Sequence, residues 1–165
     1  MRVRAHDWRA SPGGEVLVLE RDALGLRTWI RVPDRAALFA ADELTTVGFF
    51  GEAREGVDHA PIHELEARIV DTLERVPGLL SYFNLELPDG RYGNLILCAG
   101  EDVPVRWHTH ELHRRAVERA ALHYRSARLH RGVIRSPLLG DADLVVLGTR
   151  ELDFETGYTT EPLPT

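Results

Sequence analysis

The sequence predicts an α+β fold: a ferredoxin-like β-α-β-β-α-β core with an antiparallel sheet and both helices on one face. Three observations carry that reading. Residues 62–76 repeat apolar side chains at helical spacing, and residues 79–87 alternate instead. Pro88-Asp-Gly90 is a turn signal between two strand-like runs. A strand-like run, Leu44-Thr-Thr-Val-Gly-Phe-Phe50, precedes the first helix, and another, 124–134, follows the second.

Taken in order, residues 1–14 end in Ser11-Pro-Gly-Gly14 and read as an irregular lead-in. Residues 15–21 form a short apolar strand bounded by turn formers, and 26–32 are rich in β-branched and aromatic residues. With a turn at 22–25 they make an N-terminal hairpin. Asp34 is placed to N-cap a short helix through Ala41. Residues 51–60 carry two glycines and four charges and read as a loop. Pro61 suits a first helical position. Ile62, Leu65, Ile69, Leu73 and Val76 then share a face, and Val76-Pro-Gly78 stops the helix.

In the strand that follows, Leu79, Ser81, Phe83, Leu85 and Leu87 face one way, and Tyr82, Asn84 and Glu86 the other. Residues 92–98 return antiparallel to it. Residues 101–121 are expected to be the longest helix, 136–141 a loop and 144–154 a last strand. The polar tail 155–165, with two prolines, is expected to be loose unless it crosses to a partner. The chain of 165 residues is read as a single domain, with its core at about 44–134 and extensions at 15–32 and 143–165.

The formal charge of −6 argues against nucleic-acid binding, which needs a basic footprint. Arginine supplies every basic residue and lysine is absent, a compositional bias rather than a phosphate-binding surface. One cysteine, Cys98, excludes an intramolecular disulfide and fits a reducing compartment. No run approaches the ~20 apolar residues of a membrane span, and the start lacks a signal-peptide core. A cytoplasmic protein is the expectation. Glycine-rich dinucleotide and phosphate loops, a nucleophile elbow and paired-cysteine metal sites are absent.

The residues that remain for chemistry are few. His108, His110 and His113 crowd one helix. On a continuous helix His110 and His113 are about 60° apart while His108 points about 160° from His110, so three-histidine metal ligation is geometrically poor. His113 borders the apolar stripe of Val105, Leu112, Ala116 and Ala120. It is either a boundary histidine bonded to a backbone carbonyl or a proton-transferring group, a haem ligand or a substrate-orienting group. Trp107, off that stripe, is a covering residue or an interface or lid residue. Asn94 stands mid-strand, where an amide bonds across strands or points into a cavity. Cys98 reads as a small buried hydrophobe.

Three segments together resemble a known family: Val76-Pro-Gly-Leu-Leu-Ser-Tyr82, Tyr92-Gly-Asn-Leu-Ile-Leu97 and Trp107-His-Thr-His-Glu-Leu-His-Arg-Arg-Ala116. They are similar to the antibiotic biosynthesis monooxygenase family of dimeric α/β barrels, over roughly residues 44–134. The resemblance implies a homodimer with its two sheets face to face and a small-molecule pocket between each sheet and its helices. Members include cofactor-free oxygenases of aromatic polyketides and haem-degrading enzymes. Asn94 matches an asparagine of the oxygenase members; Cys98 stands where those members carry a tryptophan. His113-Arg114 matches a histidine-arginine pair on the second helix.

The expectation is therefore a cofactor-independent monooxygenase-like enzyme acting on a phenolic or enolic substrate. Asn94 and His113 would be catalytic, and Tyr82 and Trp107 substrate-binding. The alternatives are a non-catalytic dimeric ligand-binding or stress-related protein, and a haem protein ligated through His113 or His110.

Overall fold

Seven strands pair antiparallel throughout into one sheet, and three helices flank the region that positions the site. The computed structural model describes residues 16–19, 26, 28–87, 91–135 and 143–160. The expected lead-in, the turns at 22–25 and 88–90, the loop at 136–141 and the last five residues of the tail lie outside them.

The strands are β1 (Val16–Leu19), β2 (Thr28–Arg31), β3 (Glu43–Ala53), β4 (Leu79–Glu86), β5 (Arg91–Cys98), β6 (Tyr124–Arg135) and β7 (Asp143–Asp153). The helices are α1 (Arg35–Ala40), α2 (Ala60–Val70), α3 (Val103–Thr109) and α4 (Glu111–His123). The sheet order is β1-β2-β4-β5-β3-β6-β7. The hairpin β1–β2 thus extends one edge, and β7 extends the other. No helix among the described residues is long and apolar enough to cross a membrane.

Alternation gives the sheet two apolar faces. One carries α2, α3 and α4: Ile62, Leu65 and Ile69 of α2 pack with Tyr82, Ile96, Cys98, Trp107, Ala120 and Tyr124. The other carries α1, whose Leu38 packs with Ile30, Leu44, Leu80 and Leu97. Asp34 caps α1 as expected, accepting from the Ala37 N–H at 2.9 Å. The burial of Leu38 beside Leu44 and Leu80 explains why so short a helix is retained.

The structure corrects the sequence reading in several places. First, α2 ends at Val70; Leu73–Arg75 form a separate 3-10 turn before Val76. Gly78, at φ +83°, then turns the chain into β4, and a Cβ there would meet Val103 at 2.9 Å. Second, a register shift between Leu79 and Ser81 breaks the alternation of β4, so that Leu79 packs on the Tyr82 face and Leu80 on the opposite one. Third, the expected long helix is two. His110 adopts extended backbone (φ −61°, ψ 130°) and separates α3 from α4. Fourth, the tail is ordered through Thr160. Asp153 Oδ1 accepts from the backbone of Glu155 and Thr156, and Leu152 pairs with Thr159. Strand β3 also runs three residues past its expected end, into the region read as loop.

Candidate functional site

The strand register places four side chains in one row on the α2/α4 face. Trp29 of β2 stands opposite Asn84 of β4, Asn84 opposite Asn94 of β5, and Asn94 opposite Phe49 of β3. Two asparagines at the centre of an otherwise apolar sheet face are unfavourable unless something satisfies them. Above them α2 supplies Glu66, on the flank of the helix between the buried Leu65 and Ile69.

Glu66 gathers donors from the sheet. Oε1 accepts from the Tyr82 hydroxyl at 3.0 Å and from Asn84 Nδ2; Oε2 accepts from the Tyr92 hydroxyl at 2.6 Å. Asn84 Nδ2 also contacts the Tyr92 hydroxyl. Asn84 is 2% exposed and Tyr82 is buried, and the Trp29 ring stacks on Tyr82 at 5.5 Å. Burial raises the Glu66 pKa above the usual carboxylate value; the hydrogen bonds from Tyr92, Tyr82 and Asn84 and the nearby His63 oppose that shift. Burial and the adjoining carboxylate drive both tyrosines up, so each stays a neutral donor. Beside this cluster the Oδ1 of Asn94 is buried without a partner. Tyr124 completes the floor: its ring meets Phe49 edge-on at 5.2 Å and fills the space over Gly51, where a Cβ would lie 2.6 Å from it.

The predicted site residues divide into two groups. Tyr82 and Asn94 join the Glu66 cluster. Trp107 and His113 join a second cluster, on α3 and α4. Trp107 is 4% exposed, a core residue rather than one lying off the apolar stripe. Because the helix breaks at His110, the angles of a continuous helix do not apply. His110 stacks on the indole at 5.6 Å, His113 lies against it at 5.0 Å, and His108 meets His113 edge-on at 5.7 Å. Burial lowers the His113 pKa to about 4, with His108 adding to the effect, so its imidazole is neutral. A backbone bond to His108 holds the ring, while the Nδ1 atoms of His110 and His113 are buried without partners.

The two clusters sit at different heights on the sheet. Tyr92 lies near the start of β5; α3 follows its end at Cys98. His113 is ten residues before the far end of α4, and so about 15 Å along the helix from His123. Near that end His123 packs 5.7 Å from His59, which lies 6.3 Å from His63. Among the described residues no group of three or more histidines, cysteines or carboxylates is arranged to hold a metal ion. Cys98 is buried, its pKa pushed up to about 12, which removes it as a thiolate nucleophile.

Sequence reasoning missed Glu66, Asn84 and Tyr92. In sequence Glu66 reads, with Glu64 and Arg68, as part of a solvated helix face beside the stripe of Ile62, Leu65 and Ile69. The available signal was the pair of like-facing polar residues, Tyr82 and Asn84, on a strand whose neighbours are apolar.

No protein-family model and no curated protein matches the chain. Solved structures do. A protein of unknown function from Nitrosomonas europaea aligns over 61% of this chain and 94% of its own, at 16% identity and a TM-score of 0.49. A provisionally named monooxygenase from Lactobacillus acidophilus aligns over 66% of this chain at 12% identity and a TM-score of 0.50; the chain spans about half (51%) of that protein's length. SnoaB, a cofactor-independent oxygenase from Streptomyces nogalater, aligns over 61% of this chain and 100% of its own, at 20% identity and a TM-score of 0.44. At such identities the likeness concerns the fold: an α+β antiparallel sheet also used by monooxygenase-like proteins.

Proposed function

We propose that this chain is a small-molecule enzyme of the dimeric α/β barrel type, related to the antibiotic biosynthesis monooxygenases, and that Glu66 is its proton acceptor. The single observation behind the reading is the Glu66 cluster: a carboxyl held by three sheet donors, next to the unpartnered Oδ1 of Asn94. The sheet order β4-β5-β3-β6 supports a ferredoxin-like core, the arrangement of that barrel type.

Oε2 of Glu66 takes Tyr92 alone, which leaves a lone-pair direction for a substrate hydroxyl. A phenol or enol donates there, and its raised pKa suits the carboxyl to keep the proton. Asn84 and Asn94 supply amides beside the developing oxyanion. Trp29, half-buried and stacked on Tyr82, offers a ring face to a flat substrate. The electron-rich anion reduces O2 directly: an activated CH2 conjugated with the enol becomes a carbonyl, one oxygen atom enters the carbon, and the other leaves as water with both hydrogens. The substrate is its own electron donor, so no cofactor is required. The sheet face opposite α2–α4, with Phe50, Phe83, Leu95 and Ile134 half-buried and Leu144 and Val146 exposed beside α1, suits a homodimer with sheets face to face.

His113 supports a second reading. Its neutral imidazole and unpartnered Nδ1 fit a haem ligand, with His110 beside it. Titration of the protein with haemin and with a panel of phenols separates the two. Phenol binding weakened about tenfold or more in Glu66→Gln and Asn94→Ala, and unchanged in His113→Ala, is the expected result. A haem absorption band lost only in His113→Ala supports the haem reading. Phenol binding indifferent to all three substitutions removes the proposed site.

A further inference from the structure

The geometry points to His63 as the group that carries protons between the Glu66 cluster and solvent, an inference that rests on reading Glu66 as the proton acceptor. Glu66 is enclosed by Tyr82 and Tyr92 on the sheet side and must return its proton to water after each turnover. His63 precedes it by three residues on α2 and so lies along the same flank of the helix. It is exposed where Glu66 is not. Its ring lies 6.1 Å from that of Tyr92, whose hydroxyl donates to Glu66 at 2.6 Å.

The surrounding charged groups single out His63. Glu66 faces Tyr82 on β4, Tyr92 on β5, Tyr124 on β6 and His63 on its own helix. His63 faces Tyr92 and His59. His59 is engaged by the Arg54 carbonyl through Nε2 at 3.1 Å. His123 is 5% exposed and faces His59, Arg119, Asp58 and His63. Of the three imidazoles at this end, His63 alone combines exposure to solvent with a place one turn from Glu66 on α2 and a ring neighbour, Tyr92, that bonds Glu66. Charge on His63 favours the Glu66 carboxylate. A protonated His63 therefore resets Glu66 as a base, and passes its own proton to solvent. The substrate hydroxyl proton moves to Glu66 Oε2, then through intervening water to His63, then to bulk. No bond other than O–H and N–H changes.

The test uses 4-nitrophenol, whose phenolate is coloured, bound to the intact protein. After a rapid pH jump the bound chromophore changes colour at the rate at which the site exchanges protons. In His63→Gln that rate is expected to fall about tenfold or more, with binding and melting temperature unchanged, and added imidazole is expected to restore it. A rate equal to wild type, or a slow rate that imidazole does not restore, overturns the role of His63 and leaves the Glu66 reading standing. Failure of 4-nitrophenol to bind, or equal binding by Glu66→Gln, overturns the Glu66 reading and this inference with it.

Discussion

Two polar clusters lie on the same face of one sheet, and they are built in opposite ways. Around Glu66 the donors outnumber the charged acceptor, every Glu66 oxygen is engaged, and the residues come from a helix and two strands in register. Around Trp107 two imidazoles, His110 and His113, pack on an indole, a third, His108, packs on His113, and the Nδ1 atoms of His110 and His113 have no partner. In the first cluster hydrogen bonds fix geometry around a group that can change charge. In the second, ring packing holds His113, which burial keeps neutral. The density of titratable residues in sequence therefore marks the packing cluster, and convergence in space marks the site.

The comparison breaks most visibly at Trp107. If the second cluster is core, Trp107→Ala costs about 3–5 kcal/mol, the range for deleting a large buried aromatic. Urea unfolding measures it, and the m-value shows whether the variant remains two-state. A cost below about 1 kcal/mol would mean that the indole is not buried in solution, and would return Trp107 to an interface or lid role.

His113 gives the next effect. Its native pKa of about 4 lies below the ordinary 6.5 of histidine. The unfolded chain then binds a proton that the folded chain refuses. The contribution to stability is full above about pH 6.5 and is lost as pH falls toward 4, amounting to about 3 kcal/mol at 1.36 kcal/mol per unit. His113→Phe keeps a ring against Trp107 and should flatten that acid limb of the stability curve. An unchanged slope would mean that His113 titrates normally, and would weaken the contrast between a histidine held by packing and a carboxyl held by hydrogen bonds.

The fold was legible because its signals are local. Asp34 before an apolar run, Pro61 at a helix start, and Gly78 at the turn into β4 each dictate backbone within a few residues. The errors arose where tertiary packing decided. The break at His110 has no glycine or proline to announce it; the burial of Trp107 accompanies that break, which periodicity does not encode. The extra residue in β4 is likewise silent in an apolar run, Leu79-Leu80. In the candidate site, Tyr82 and Asn94 were visible as polar residues misplaced on a buried face. Glu66 was not, because a glutamate flanked by Glu64 and Arg68 looks solvated until the sheet supplies Tyr82, Asn84 and Tyr92.

The smallest expected stability effect bears most on function, and it falls at Asn94. Asn84 cannot be removed cheaply, since its amide bonds Glu66 and it is almost fully enclosed. Asn94 sits opposite it across the strand pair, yet its Oδ1 is buried with no donor. A buried unsatisfied acceptor carries a desolvation cost of about 1–3 kcal/mol that truncation removes. The lost packing of a side chain of this size offsets that gain. Asn94→Ala should therefore change unfolding free energy by less than about 1 kcal/mol, while phenol binding falls. Urea unfolding and titration on the same samples decide between the two uses of an amide. A destabilised variant with unaltered binding makes Asn94 a cross-strand tie. A stable variant that no longer binds makes its idle oxygen the mark of a missing ligand, because nothing in the fold itself would retain an acceptor that the fold does not use.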